Sequence, residues 1–146
     1  AGLVITNTSR GYGAVFGVTL NGSTVEQSWL QEITISHGST VCVGGQVYGY
    51  SSRGEARGWV AIDAASGEIR VMSDQSVGSL IHADDRFYCL TERGTMTLQE
   101  LTKDGFASVG EFQVGQGKDC WAHPVINDGK LYLRFNDSLF CYDIRR

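Results

Sequence analysis

WAHPVINDGKLYLRFNDSLFCYDIRR, Trp121–Arg146, contains three short apolar runs, Ala122–Asn127, Lys130–Phe135 and Leu139–Ile144. The first ends at Asn127-Asp128-Gly129, and the second is split from the third by Asn136-Asp137-Ser138. Apolar residues alternating between Asx- and Gly-containing turns predict consecutive antiparallel strands, because period-2 patterning places one side-chain set on one sheet face. The rest of the chain repeats this pattern.

Four runs align on one position: Ile5 in GLVIT, Tyr48 in GQVYG, Tyr88 in DRFYC and Tyr132 in GKLYL. By subtraction these anchors lie 43, 40 and 44 residues apart. Gly38, Gly78 and Ala122, all small, stand 10 residues before the last three. A second apolar strand follows each anchor and contains Leu20, Ile62, Leu98 or Tyr142. Turns at Asn21-Gly22-Ser23, Ala65-Ser66-Gly67 and Lys103-Asp104-Gly105 lead to further strands, Thr24–Leu30, Glu68–Ser73 and Phe106–Val114.

Each unit therefore reads as a four-stranded antiparallel meander with a period of about 40 residues, the pattern of a β-propeller blade. Helical repeats do not alternate with period 2. A two-sheet sandwich does not require matched anchors. The predicted fold is all-β, with complete blades at about 32–75 and 76–116 and blade remnants at 1–31 and 117–146. The first remnant lacks an innermost strand and the last lacks an outermost one. About 3.5 blades are too few for an ordinary ring, so the expectation is the C-terminal part of a larger propeller. The remaining half, or another copy of the chain, would complete it, with the missing strand of the last blade coming from the N-terminal part.

Composition agrees with a folded β domain: 146 residues, 42% hydrophobic, 19 Gly and one Pro. A net charge of −4 argues against a phosphate-binding surface, since nucleic-acid affinity rests on Lys and Arg neutralising phosphates. No apolar run has the length of a helical membrane span. Cys42, Cys89, Cys120 and Cys141 show no C-x-x-C spacing. Cys89 and Cys141 fall in apolar strand runs, which favours buried thiols over a disulfide.

GWVAIDAASGEI (Gly58–Ile69), GSLIHADDRFYCLTERGTMTLQEL (Gly78–Leu101) and CWAHPVINDGKLYLRFNDSLFCYDI (Cys120–Ile144) resemble blades of the PQQ-like, or quinoprotein-like, β-propeller repeat proteins. The resemblance implies an exported or periplasmic bacterial protein of about eight blades. It also implies a Trp in a G-x-x-x-W pattern that docks each blade on its neighbour. That place falls at Glu26, Val71 and Val109; Trp29, three residues late, is the docking candidate in the first unit.

The innermost strands of a propeller line its channel, and here they are expected at about Thr34–Val43, Val77–Ala83 and Trp121–Asn127. Their ligand-binding candidates are His37, Ser39, Ser79, Trp121 and His123, with His82 and Asp119 nearby. His37 and His123 flank the aligned small positions, where two imidazoles near a channel mouth could bind a metal or move a proton. Capping a strand or bonding a carbonyl is the simpler role, and no H-x-H or H-E-x-x-H spacing supports a metal. Trp121 offers a stacking platform for a ring or sugar, or a blade-packing side chain. Arg134 shares a face with Tyr132 and offers an anion site, or a partner for Asp143 or Asp137. The loops Thr8–Ala14 and Ser51–Gly58 carry Arg10, Tyr12, Arg53, Glu55 and Arg57, at positions where binding residues concentrate on rigid scaffolds.

No G-x-S-x-G, P-loop or strand-following G-x-G-x-x-G occurs, and no catalytic or metal-ligating residues are assigned. The leading expectation is a non-catalytic scaffold binding a protein or small ligand at the channel mouth or loops, with no cofactor. A PQQ-dependent dehydrogenase, requiring PQQ and calcium, is the alternative, but no acidic cluster suits an all-oxygen Ca²⁺ shell. A carbohydrate-active propeller is the third. Neither a nucleic acid nor a membrane span is expected.

Overall fold

The computed structural model describes residues 2–8, 13–35, 40–52, 56–74, 77–117 and 120–145, with Gly2–Thr8 as backbone. Fourteen strands and no helix occur among the described residues. β1 (Gly2–Thr8), β2 (Ala14–Asn21) and β3 (Thr24–Gln31) form one three-stranded sheet. β4 (Val41–Val43), β5 (Gln46–Ser51), β6 (Gly58–Asp63) and β7 (Ile69–Ser73) form a four-stranded sheet. A second comprises β8 (Gly78–Ala83), β9 (Arg86–Thr91), β10 (Thr95–Thr102) and β11 (Gly105–Gln113). β12 (Val125–Asn127), β13 (Lys130–Phe135) and β14 (Ser138–Asp143) make the last, three-stranded sheet.

Every sheet is a meander in chain order. The turns Gly44-Gly45, Asp84-Asp85 and Asp128-Gly129 join the first two strands of three sheets, with φ between 48° and 78° at all six residues. Two successive residues at φ > 0 match the right-handed strand twist, which explains the Gly and Asp at these tips.

One innermost segment is shorter than its sequence suggests. The run expected at Trp121–Asn127 pairs from Val125 onward, immediately after Pro124, whose ring removes an amide donor. Among the described residues of the run expected at Thr34–Val43, Val41–Val43 form a strand and Ile35 bridges Ser51. All four cysteines are free thiols, as expected, and Cys89 and Cys120 are buried, but Cys141, expected buried, is exposed, as is Cys42. β14 turns Phe140 and Tyr142 toward the core, so Cys141 between them faces outward.

The chain divides into two compact units, residues 1–36 with 42–75, and 37–41 with 76–146. In the first, Val15, Trp29, Ile33 and Ile35 pack with Val47, Val60 and Ile62 across the facing sheets. Trp29 Nε1 donates to Ala64 O at 3.0 Å, and Gln31 Nε2 donates to Gly67 O at 2.8 Å. The Trp29 ring lies flat against the turn: a Cβ added to Gly67, at φ 77°, would sit 2.6 Å from Trp29 Cδ2. In the second unit, Leu90, Met96 and Val114 pack with Cys120, Leu131, Leu133 and Phe135.

Candidate functional site

The end of the second unit where β8 begins carries a depression lined by Gly78, Ser79, Glu92, Cys120 and Trp121. Backbone bonds clamp its walls together. Glu92 N donates to Val77 O at 2.9 Å, and Cys120 N donates to Glu92 O at 3.0 Å. Cys120 Sγ donates to Arg134 O at 3.3 Å, tying the wall to β13. Burial raises the Cys120 thiol pKa, so its role there is that of a neutral packed group.

Two residues selected from the sequence meet in this depression. Ser79 is 4% exposed and its buried hydroxyl has no hydrogen-bond partner among the described residues. Leaving such a group unsatisfied is costly. Trp121 lines the depression too and is 56% exposed. The enclosed space is about 10 Å³, room for a single water-sized group.

The other candidates separate. His123 is exposed on the segment after Trp121. Arg134 is exposed, and its Nε donates to Asn136 O at 3.1 Å, while Asp143, one partner expected for it, pairs with Arg145. His37, Ser39, Asp119 and the loop residues Arg10, Tyr12, Arg53 and Glu55 lie outside the described residues. His82 is half-buried with its ring 4.7 Å from that of Phe87, an aromatic packing contact. Trp29 is 8% exposed between Gly17 and Gly67, whereas Glu26, Val71 and Val109 at the G-x-x-x-W places are exposed. Among the described residues no three His, Cys, Asp or Glu side chains converge as a metal site would require. Glu92 and Cys120 belong to the site but carried no sequence signal beyond their nearness to a turn and to Trp121.

No protein-family model matches the chain, and no curated protein matches it. Among solved structures it is similar to BamB from Moraxella catarrhalis, with 19% sequence identity and a TM-score of 0.69. The match covers 97% of this chain and 43% of the BamB chain, so this chain spans less than half of that protein's length. BamB is a β-propeller, and the likeness identifies the four antiparallel meanders as propeller blades.

Proposed function

We propose that the chain is part of a non-catalytic, PQQ-like β-propeller scaffold that binds a protein, or a small ligand, at the end where Ser79 and Trp121 meet. One observation carries this reading. Trp121, which is exposed, and a buried Ser79 hydroxyl without a hydrogen-bond partner among the described residues line one depression. Trp is enriched among the residues that dominate binding energy, because it offers a large apolar face at low entropic cost. The described part of the site holds a thiol made less acidic by burial, one hydroxyl and one indole beside Glu92, a set suited to contact rather than turnover. The remaining half of the propeller, or another copy of the chain, would complete it, and the family resemblance supports an exported location.

A photo-crosslinking amino acid at position 121 of the full-length protein tests the reading in its source cell. A discrete crosslinked polypeptide, absent when the probe stands at the distant position 103, supports a protein-binding scaffold. A bound-quinone absorbance band on adding PQQ and Ca²⁺, with dye-coupled alcohol oxidation, would overturn it in favour of a dehydrogenase.

A further inference from the structure

The hairpin that joins β2 to β3 turns at Asn21-Gly22-Ser23-Thr24. Asn21 and Thr24 are register partners, so Gly22 and Ser23 form the turn between them. Gly22 has φ 61° and Ser23 has no positive φ, the type II′ arrangement with Gly at the first central position. All four residues are exposed. A Cβ added to Gly22 would meet nothing within 4 Å, so its backbone is bare to solvent.

An asparagine side chain carries an amide carbon that the main-chain nitrogen of the next residue can attack, closing a succinimide ring. A side chain on that next residue crowds the attacking nitrogen, and glycine has none. The four asparagines of the chain precede Thr8, Gly22, Asp128 and Asp137, so Asn21 alone meets this requirement. Both reacting groups are also unengaged. Among the described residues, neither the Gly22 amide nor the Asn21 side chain makes a hydrogen bond. The tip is held by Thr24 Oγ1, which donates to Asn21 O at 2.8 Å. Ring closure requires Asn21 to leave its extended strand conformation. Such local opening costs least where backbone bonds are exposed and few apolar contacts must break, as at this tip.

We infer that Asn21 is a site of spontaneous deamidation, with Gly22 N as the nucleophile, and that the Thr24 hydroxyl restrains the reaction. The new bond joins Gly22 N to the Asn21 side-chain carbon and closes the succinimide. The Gly22 proton ends on the leaving nitrogen, which departs as ammonia. Water then opens the ring at one of its two carbonyls, giving aspartate or isoaspartate, and nothing is oxidised or reduced. Either product makes the chain one charge more negative than its present −4. Isoaspartate also routes the main chain through the former side-chain carbon, adding a methylene to the end of β2. The Asn21–Thr24 pair then loses its register, and the hairpin its last rung.

The test is peptide mapping by mass spectrometry of the folded chain, warmed below its melting temperature in mildly alkaline buffer. Synthetic TLNGSTV peptides carrying aspartate or isoaspartate in place of the asparagine identify the products by retention time. Asn21 is expected to gain the mass of an acid at least tenfold faster than Asn127 and Asn136, with isoaspartate the larger product. G22A should slow the conversion at least tenfold, because its methyl group crowds the nucleophile. T24V keeps the side-chain shape and drops the hydroxyl, and should speed the conversion at least twofold. Circular dichroism before warming checks that each variant is folded, and the unaltered chain decides the main point without any variant. Conversion of Asn21 no faster than that of Asn127 and Asn136, or conversion seen only in denaturant, would overturn the site. An unchanged rate in G22A would overturn Gly22 N as the nucleophile, and an unchanged rate in T24V would overturn the restraint assigned to the hydroxyl.

Discussion

The indole nitrogen of Trp29, at the end of β3, donates to the carbonyl oxygen of Ala64 in the turn that closes β6. One side chain thereby bonds its own sheet's neighbour while its ring covers the glycine of the same turn. Replacing Trp29 with Phe keeps most of the apolar area and removes the donor, with an expected cost of about 1 kcal/mol. Trp29→Ala also opens a cavity and is expected to cost about 3–5 kcal/mol. Urea denaturation of the two variants separates the hydrogen bond from the packing.

Gly67 is the other half of that contact. At φ 77°, with the Trp29 ring in the path of any Cβ, Gly67→Ala combines backbone strain and overlap. Strain of this kind costs on the order of 1–3 kcal/mol, so the variant should melt well below the unaltered chain. Gly22→Ala serves as the control, since it shares a positive φ of 61° but has nothing within 4 Å. The difference between the two isolates the contact with Trp29.

The thiols should react in two classes. Cys42 and Cys141 are exposed and should be alkylated within minutes at neutral pH, giving two adducts by intact-mass spectrometry. Cys89 and Cys120 are buried, and burial pushes both thiols toward the neutral, unreactive form. All four should react in denaturant. Fast modification of Cys89 in the folded chain would contradict the packing of β9.

Asp63 gives a pH prediction. The Ser66 amide and then the Ser66 hydroxyl donate to its carboxylate, with Gln46 and Ala65 adding further bonds, and together they lower its pKa. A carboxyl whose pKa is lower folded than unfolded stabilises the fold above its unfolded value, near 3.9. That contribution disappears as pH falls through the folded value. The Asp63 carboxyl carbon, followed by NMR, should titrate below the unfolded midpoint, and Asp63→Asn should flatten the acid limb of the stability profile.

Ser79 and Trp121 should part company in a stability assay. Ser79→Ala removes a buried hydroxyl that has no partner among the described residues and is expected to be neutral, or stabilising by up to about 1 kcal/mol. Trp121→Ala, at an exposed position, should shift stability by no more than about 0.5 kcal/mol. Thermal melts check both. A large loss at Trp121 would make it a packing residue and remove the basis for a binding rim.

Much of the architecture could be read from the chain because it is local. β13 was expected at Lys130–Phe135 and occurs there, since two Asx turns bracket it and Leu131, Leu133 and Phe135 alternate inward. The segment before it was misjudged, because apolar content near Ala122 outweighed the missing amide of Pro124. The site was half legible. Ser79 and Trp121 stand out as polar and aromatic residues at expected inner strands, but their meeting depends on the Glu92–Cys120 backbone bond, which joins residues 28 positions apart by subtraction. Long-range bonds between loop backbones leave no periodic trace.

The meander order of all four sheets bears on how the chain reaches its fold. Each strand pairs with its sequence neighbour, so a hairpin nucleus closes a loop of a few residues rather than waiting for distant segments. Gly44-Gly45, Asp84-Asp85 and Asp128-Gly129 would then act as three separate starting points, each already biased to turn the correct way. Lengthening one of these tips should slow the appearance of its own sheet and leave the others on their original timetable.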